Sequence, residues 1–361
     1  VRHNVGQLRH RLGPERRLMA VVKADAYGHG AIPVSRAALQ AGATCLGVAT
    51  LEEGVQLREA GIEAPIVVLG ASVLPADLGA LVRYAIEPTL CTPRQVLTCA
   101  EHLDRPHPVH LKIDTGMGRL GAPWQEAVAF VRLAYSQPNL IVASLYSHLA
   151  TADEPGSRVL VQQHQRFERL LTSLRALGIA PACVHLANSA ATLGDRRLHY
   201  DMVRTGLALY GLVPGERFRG VLDLKPAMQV RARITQVRTV AAGTGVSYGH
   251  LWRTSRPSRL ATVAIGYADG VPRTLSGRIG VLVGGVRVPQ VGAITMDQLI
   301  LDVTALDGVE EGQIVTLLGR DGERSIDIEE WAARLGTISY EIFCGFKHRL
   351  PRVVRQSSTV G

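Results

Sequence analysis

Over the first 210 residues, short runs of β-branched and aliphatic residues alternate with longer stretches of helical hydrophobic spacing. The short runs predict strands at 19–23, 45–49, 66–69, 84–86, 109–113, 141–145, 183–186 and 202–204. Helices are predicted between them, among others at 33–41, 51–60, 93–102, 123–134 and 158–176. Several begin with proline near the first turn, where its missing N–H costs nothing. Eight strands, seven of them followed by helical crossovers, predict an α/β chain whose first part is a (β/α)8 TIM-like barrel. A doubly wound open sheet is the alternative, but no G-x-G-x-x-G follows the first strand. Near Lys225 and Pro226 the rhythm changes. Strands are predicted at 230–240, 260–265, 279–283, 286–291, 299–303 and 314–318, with one clear helix at 328–335. This is the pattern of a mostly antiparallel β domain, which places the expected boundary between 1–224 and 225–361.

Composition narrows the class. A hydrophobic fraction of 47% and a charged fraction of 20% suit a globular protein with a full core. No apolar run approaches the length of a membrane span, and the first residues show no secretory h-region. The chain starts without methionine, so a short leading segment is expected to be missing. The net charge of +9 raises the question of nucleic acid. However, the basic residues are scattered and aromatics are few, so no nucleic acid and no membrane partner is expected. The five cysteines, Cys45, Cys91, Cys99, Cys183 and Cys344, include no C-x-x-C pair. They predict free buried thiols in a reducing cytoplasm. The histidines show no metal-ligand spacing, and no metal is expected.

The chemistry begins at residues 20–30, AVVKADAYGHG, where an apolar run ends on Lys23 and a glycine-rich turn follows. Such a lysine can simply snorkel to water. Beside an apolar wall its pKa falls, which suits a Schiff-base nucleophile. In a barrel of this kind, chemistry sits where strands end. The other predicted strand ends carry Lys112, Asp114 and Arg119; Ser147 and His148; His185, Asn188 and Ser189; and Arg204, Thr205, Gly206 and Leu207. Singly, each has an ordinary reading: a satisfied histidine, a helix N-cap, a turn. Together they converge on one face. Loops after the seventh and eighth strands commonly hold phosphate in such barrels, and Ser189, Thr205, Gly206 and Leu207 supply suitable donors. A lysine and a phosphate grip together imply pyridoxal 5′-phosphate. Arg204 is the candidate to meet its ring nitrogen. Arginine keeps its proton, which leaves the ring a weak electron sink, suited to moving one proton and little else.

The stretches AVVKADAYGHG, KIDTGMGRLG, SHLATADE, HLANSAA, DMVRTGLALYG, VSYGH, IGYADG, ITMDQ and SYEIFC occur in an order that closely resembles the alanine racemase family over nearly the whole chain. The resemblance implies a fold-type III PLP enzyme that interconverts L- and D-alanine, supplying D-alanine for peptidoglycan. It also implies a homodimer in which the β domain of one subunit contributes Tyr248 and Met296 to its partner's site. Lys23 and Tyr248 resemble the two bases, acting on D- and L-alanine respectively. Lys23, Tyr27, His148, Asn188, Ser189, Arg204, Gly206, Leu207 and Tyr340 form the implied cofactor-binding set. Arg119, Met296 and Tyr267 form the implied substrate-binding set. His185 matches the histidine that supports the ring-facing arginine. Lys112 matches a lysine carbamylated in some members.

Two departures accompany the resemblance. Thr295 stands where the family often has cysteine, and the family's opening strand before Arg2, His3 and Asn4 is absent. Racemisation needs acid and base on opposite faces of the α-carbon, a demand that a lysine and a tyrosine with lowered pKa values meet. A racemase of relaxed specificity is the alternative reading. A cofactor-homeostasis protein would lack the β domain, and a basic amino-acid decarboxylase would carry a glutamate in place of Arg204.

Overall fold

The computed structural model describes residues 1–71, 73–346 and 348–355. It divides into two compact units, one of Val1–Ala26 with Gly30–Lys225, the other of Tyr27–His29 with the chain from Pro226 onward.

The first unit is built on β1 (Arg17–Val21), β2 (Cys45–Val48), β3 (Ile66–Val68), β4 (Ile86–Leu90), β5 (His107–Asp114), β6 (Leu140–Tyr146), β7 (Val184–His185) and β8 (Met202–Thr205). All pairings among them are parallel. Each strand pairs with its sequence neighbours, and β8 pairs with β1 to close an eight-stranded barrel. Helices fill the crossovers. Arg158–Ala176 starts where the Ser157 hydroxyl accepts from the Leu160 N–H at 3.3 Å. Pro93–His102 starts with a capping box between Thr92 and Gln95 and a proline at the first position.

Local readings needed correction in three places. Of the run at 84–86, Tyr84 caps a helix and Ala85 lies in a turn, so that only Ile86 belongs to a strand. Pro75–Arg83 is a helix, Ala85 takes φ 49°, and the strand runs over Ile86–Leu90 despite its Glu87 and Pro88. The first strand ends at Val21, and Lys23 opens a left-handed turn. The Cys344 thiol is exposed, whereas Cys45, Cys91, Cys99 and Cys183 are buried as expected.

The barrel interior has polar layers. Residues two apart on a strand share a face, so Glu87 and Thr89 on β4, His110 and Lys112 on β5, and Ser144 and Tyr146 on β6 form paired rungs. Thr89 lies in register with His110, His110 with Ser144, Lys112 with Tyr146, and Tyr146 with His185.

The second unit is antiparallel: β9 (Val230–Val240), β10 (Ser258–Val263), β11 (Gly280–Val283), β12 (Val286–Val291), β13 (Leu299–Asp302), β14 (Ile314–Asp321) and β15 (Arg324–Ile326). Six of these close in the order β9-β10-β13-β12-β11-β14, with β9 pairing back to β14. A second helix, Ser339–Gly345, joins the predicted Ile328–Leu335. Among the described residues no helix is long and apolar enough to cross a membrane.

Candidate active site

Because all eight strands of the barrel are parallel, their C-terminal ends share one rim. Lys23 follows β1, which lies beside the strand carrying Arg204; Met19 is in register with Arg204 and Ala20 with Thr205. After Lys23, Ala24, Asp25, Ala26 and Tyr27 all have φ between 50 and 54°. Left-handed backbone costs a residue with a side chain roughly 1–2 kcal/mol. The fold meets that cost with carboxylates. Glu53 accepts from the N–H of Ala24 at 2.7 Å and of Ala49 at 2.6 Å, and Asp25 accepts from Ala31 at 2.7 Å.

Arg204 is 3% exposed and surrounded by neutral acceptors. Its guanidinium donates to His185 Nδ1 at 2.7 Å, His148 Nδ1 at 3.1 Å, and the carbonyls of Ser147 at 2.7 Å and Leu186 at 3.1 Å. Arginine has no lone pair to offer, so both histidines accept through Nδ1 and carry their proton on Nε2. Burial first, then Arg204, Lys112, Arg119 and Lys23, hold His148 well below its ordinary pKa. Burial and then Arg204, His110 and Arg17 do the same to His185. Burial lowers Arg204 itself to about 10. Lys112 falls to about 8 through burial and the charges of Arg204, Arg119 and Lys23, against a smaller opposing effect of Cys91.

Tyr146 holds these groups from behind. Its ring stacks on His185, with Arg204 and Lys112 against it at 5.0 and 5.6 Å. Among the described residues neither Lys112 nor Arg204 pairs with a carboxylate, so the rim carries an excess of buried positive charge.

The loops after β7 and β8 meet at Ser189, whose hydroxyl accepts from the N–H groups of Gly206 at 3.1 Å and Ala208 at 3.4 Å. Leu207 opens the short helix that follows. Thr205 is fully buried, and its hydroxyl has no hydrogen-bond partner among the described residues. Asn188 acts as a helix cap, accepting from Ala191 at 3.1 Å, while its amide reaches the Leu149 carbonyl at 3.4 Å. Arg119 is exposed at the end of a loop shaped by Asp114, which accepts the N–H groups of Gly116, Met117 and Gly118. Burial alone would raise the Asp114 pKa, but these bonds outweigh it and lower it.

The second unit holds the remaining candidates. Tyr27 and Tyr340 have ring centroids 6.0 Å apart, and burial raises the Tyr27 pKa, with Tyr340 and Cys344 adding to the effect. Tyr248, Met296 and Tyr267 are 73%, 52% and 42% exposed. Backbone bonds from Tyr267 N–H to Thr295 O and from Ala268 N–H to Met296 O, each 3.0 Å, and the Ser247 hydroxyl donating to Ala293 O at 2.7 Å, hold the segments that carry them. Gly266 lies so close that a Cβ there would come within 2.3 Å of the Thr295 carbonyl. Ser247, just before Tyr248, takes φ 61° and ψ −170°, a region kept almost wholly for glycine and found at functional sites.

Strand-end reasoning did not find Glu53, Glu87, His110, Ser144 or Gln163. Gln163 is fully buried and ties the loops together, donating to His148 O at 2.9 Å and accepting from Ala150 N–H at 2.9 Å. For His110 and Ser144 the available signal was a polar side chain on the inward face of a predicted barrel strand; Glu53 and Gln163, on helices, carried none.

Two family models match: alanine racemase, N-terminal domain, over residues 1–214, and alanine racemase, C-terminal domain, over residues 227–354. The chain is 57% identical to the alanine racemase of Nostoc sp. over 356 residues, covering 97% of this chain and 92% of that one. It is 54% identical to that of Synechocystis sp., covering 98% and 95%. Its fold superposes on the crystal structure of alanine racemase from Bacillus anthracis with bound L-Ala-P with a TM-score of 0.92 at 39% identity, covering 100% and 94%. For the alanine racemase of D-cycloserine-producing Streptomyces lavendulae the TM-score is 0.89 at 41% identity, covering 98% and 94%. A barrel whose rim gathers lysine, arginine and histidine, followed by an antiparallel domain that matches the same family, leaves no ambiguity of class: the chain belongs to the alanine racemase family, the isomerases that racemise an amino acid.

Proposed function

We propose that the chain interconverts L- and D-alanine with pyridoxal 5′-phosphate by a two-base mechanism, Lys23 serving the D-enantiomer and Tyr248 the L-enantiomer. The observation that carries the cofactor reading is the buried Arg204, held among the described residues by neutral acceptors alone, beside a further cation, Lys112. Such a rim favours a ligand with anionic groups. Ser189, Gly206, Leu207, Tyr27 and Tyr340 would hold its phosphate, Arg204 would donate to its ring nitrogen, and Lys23, His148 and Asn188 would complete the set. When bound, this cofactor supplies an electron-accepting ring that stabilises negative charge at the substrate's α-carbon.

The protein's own part is to hold and move protons. Lys23 Nζ and the Tyr248 hydroxyl take and return the α-proton from opposite faces. Arg119 and the Met296 N–H bind the carboxylate, and Tyr267 narrows the approach. Because Arg204 cannot give up its proton at working pH, it would donate a hydrogen bond to the ring nitrogen without protonating it.

The exposure of Tyr248, Met296 and Tyr267 supports a homodimer in which the partner's copies of these residues serve this barrel. Buried, unbridged thiols support the cytoplasm as the compartment. Supply of D-alanine for peptidoglycan is the proposed role.

Isotope exchange tests the two-base assignment. In D2O, Tyr248→Phe should lose racemisation and exchange at L-alanine while still exchanging the α-hydrogen of D-alanine. Equal loss of exchange at both enantiomers would refute the assignment.

A further inference from the structure

Behind Arg204 a line of side chains crosses the barrel interior and reaches a carboxylate on the far side. His185 Nε2 is 2.8 Å from Ser144 Oγ, Ser144 Oγ is 2.6 Å from His110 Nδ1, and His110 Nε2 is 2.7 Å from Glu87 Oε2. Ser144, His110 and His185 are at most 4% exposed, and the Glu87 side chain is 17% exposed. The direction of the line follows from its ends. Arg204 only donates, so His185 accepts at Nδ1 and donates from Nε2 to Ser144. The serine hydroxyl then gives its proton to His110 Nδ1, and His110 donates from Nε2 to the Glu87 carboxylate. Every donor points the same way, from guanidinium to carboxylate. Hydrogen bonds in series polarise one another, and a charged terminal acceptor strengthens the whole line.

We propose that Ser144 is a positioning residue, joining Arg204 to Glu87 through His185 and His110 so that the guanidinium is fixed in orientation and donor strength. This rests on the reading in which Arg204 faces the cofactor's ring nitrogen. Its contribution falls on turnover, because Ser144 lies behind the arginine and away from the groups proposed to bind substrate. The only groups on the line able to sustain the direction are the two histidines and the serine hydroxyl; alanine at 144 breaks it, threonine preserves it, and glutamine at 87 keeps an acceptor without its charge.

The test uses the cofactor-loaded enzyme. Ser144→Ala should lower kcat roughly tenfold with KM changed by less than about twofold, in the range found when the partner behind a functional side chain is removed. Ser144→Thr should restore most of the loss, and Glu87→Gln should lower kcat in the same sense. Nitrogen-15 NMR of histidine-labelled, unsubstituted enzyme should show His185 and His110 each protonated at Nε2 and bare at Nδ1. A doubly protonated His110, an unchanged kcat in Ser144→Ala, or failure of threonine to rescue would overturn the proposal. Should Ser144→Ala not fold, the nitrogen pattern and Glu87→Gln decide. Arg204→Lys is measured in parallel. If it is crippled while Ser144→Ala is silent, the proposal alone has failed; if both are silent, the reading of Arg204 has failed.

Discussion

The imidazole of His185 lies flat on the phenol ring of Tyr146, with centroids 4.6 Å apart and 9° between the planes. Both are essentially inaccessible to water, and the Tyr146 hydroxyl is tied to Thr89 at 3.0 Å. Since the same ring also carries Arg204 and Lys112 at its edge of the barrel, one aromatic plate sets three polar groups at once. Tyr146→Phe keeps the plate and loses one hydrogen bond, so it should cost about 1 kcal/mol and change kcat by less than about threefold. Tyr146→Ala leaves a cavity beneath His185 and should cost about 3–5 kcal/mol, the range for deleting a buried aromatic ring, with kcat down at least roughly tenfold. Urea denaturation and steady-state kinetics of the pair separate ring from hydroxyl.

The turn after Lys23 depends on Glu53. Each of its carboxylate oxygens accepts one backbone N–H, from Ala24 and Ala49, and so pins a run of left-handed residues that would not persist alone. Glu53→Ala leaves those donors without their acceptor and should cost about 2–3 kcal/mol. It should also lower kcat, because Lys23 is no longer held at the start of a defined turn. Glu53→Gln, which retains one acceptor, should fall between. A Glu53→Ala enzyme with native stability and turnover would show that the turn holds without the carboxylate.

Lys112 gives the stability of the protein without ligand a distinctive pH dependence. Its amine is held at about 8 in the fold against 10.5 ordinarily. Between those values the unfolded chain carries more protons than the folded one, so stability should rise with pH across about 8 to 10.5. Below pH 8 the whole cost of the buried charge is present, about 3 kcal/mol. Lys112→Met should be more stable near neutrality and should flatten that rise. His148 and His185 act on the acid side: both are held neutral, so stability should fall as pH drops below 6.5 and the unfolded chain takes up protons. Denaturation midpoints measured from pH 5 to 10.5 check both limbs.

The alternation of strand and helix was legible because periodicity is local, and so was the rim, since Lys23, His148, His185 and Arg204 stand near strand ends in sequence as in space. What lies behind the rim was not. The strand predicted at 84–86 stops short of Glu87, yet Glu87 is the acceptor that His110 needs, and that is visible only once β4 and β5 are paired. Ser144 inside an aliphatic run and Gln163 inside a helix carry no local mark of their partners. The left-handed turn after Lys23 is equally silent, because Ala24 and Ala26 have no preference for it, Asp25 only a weak one, and Glu53 supplies the reason from another helix.

Gly266 sets the spacing of the second unit's exposed residues. A Cβ at this position would lie 2.3 Å from the Thr295 carbonyl and 2.4 Å from that of Met296, both backbone atoms that cannot step aside cheaply. Gly266→Ala should therefore push the 295–296 segment away from Tyr267, costing about 1–3 kcal/mol. If Met296 and Tyr267 bind and admit substrate, KM for alanine should rise several-fold while the visible absorbance of the proposed cofactor stays unchanged. An unaltered KM in a folded variant would remove these two residues from the substrate site.

Subunit mixing tests the shared site most directly. If the chain is a homodimer with Lys23 and Tyr248 as its two bases, as proposed, Lys23→Ala and Tyr248→Phe should each be inactive. If the bases come from different subunits, a heterodimer of the two carries one site with both substitutions and one with neither. Random re-association of equal amounts makes half the dimers mixed, each with one working site of two, so activity should recover to about a quarter of the wild-type value. If both bases came from the same chain, every site in the mixture would lack one of them and activity would stay at zero. Light scattering or native mass spectrometry of the mixture establishes that subunits have exchanged, so a flat result then counts against the composite site.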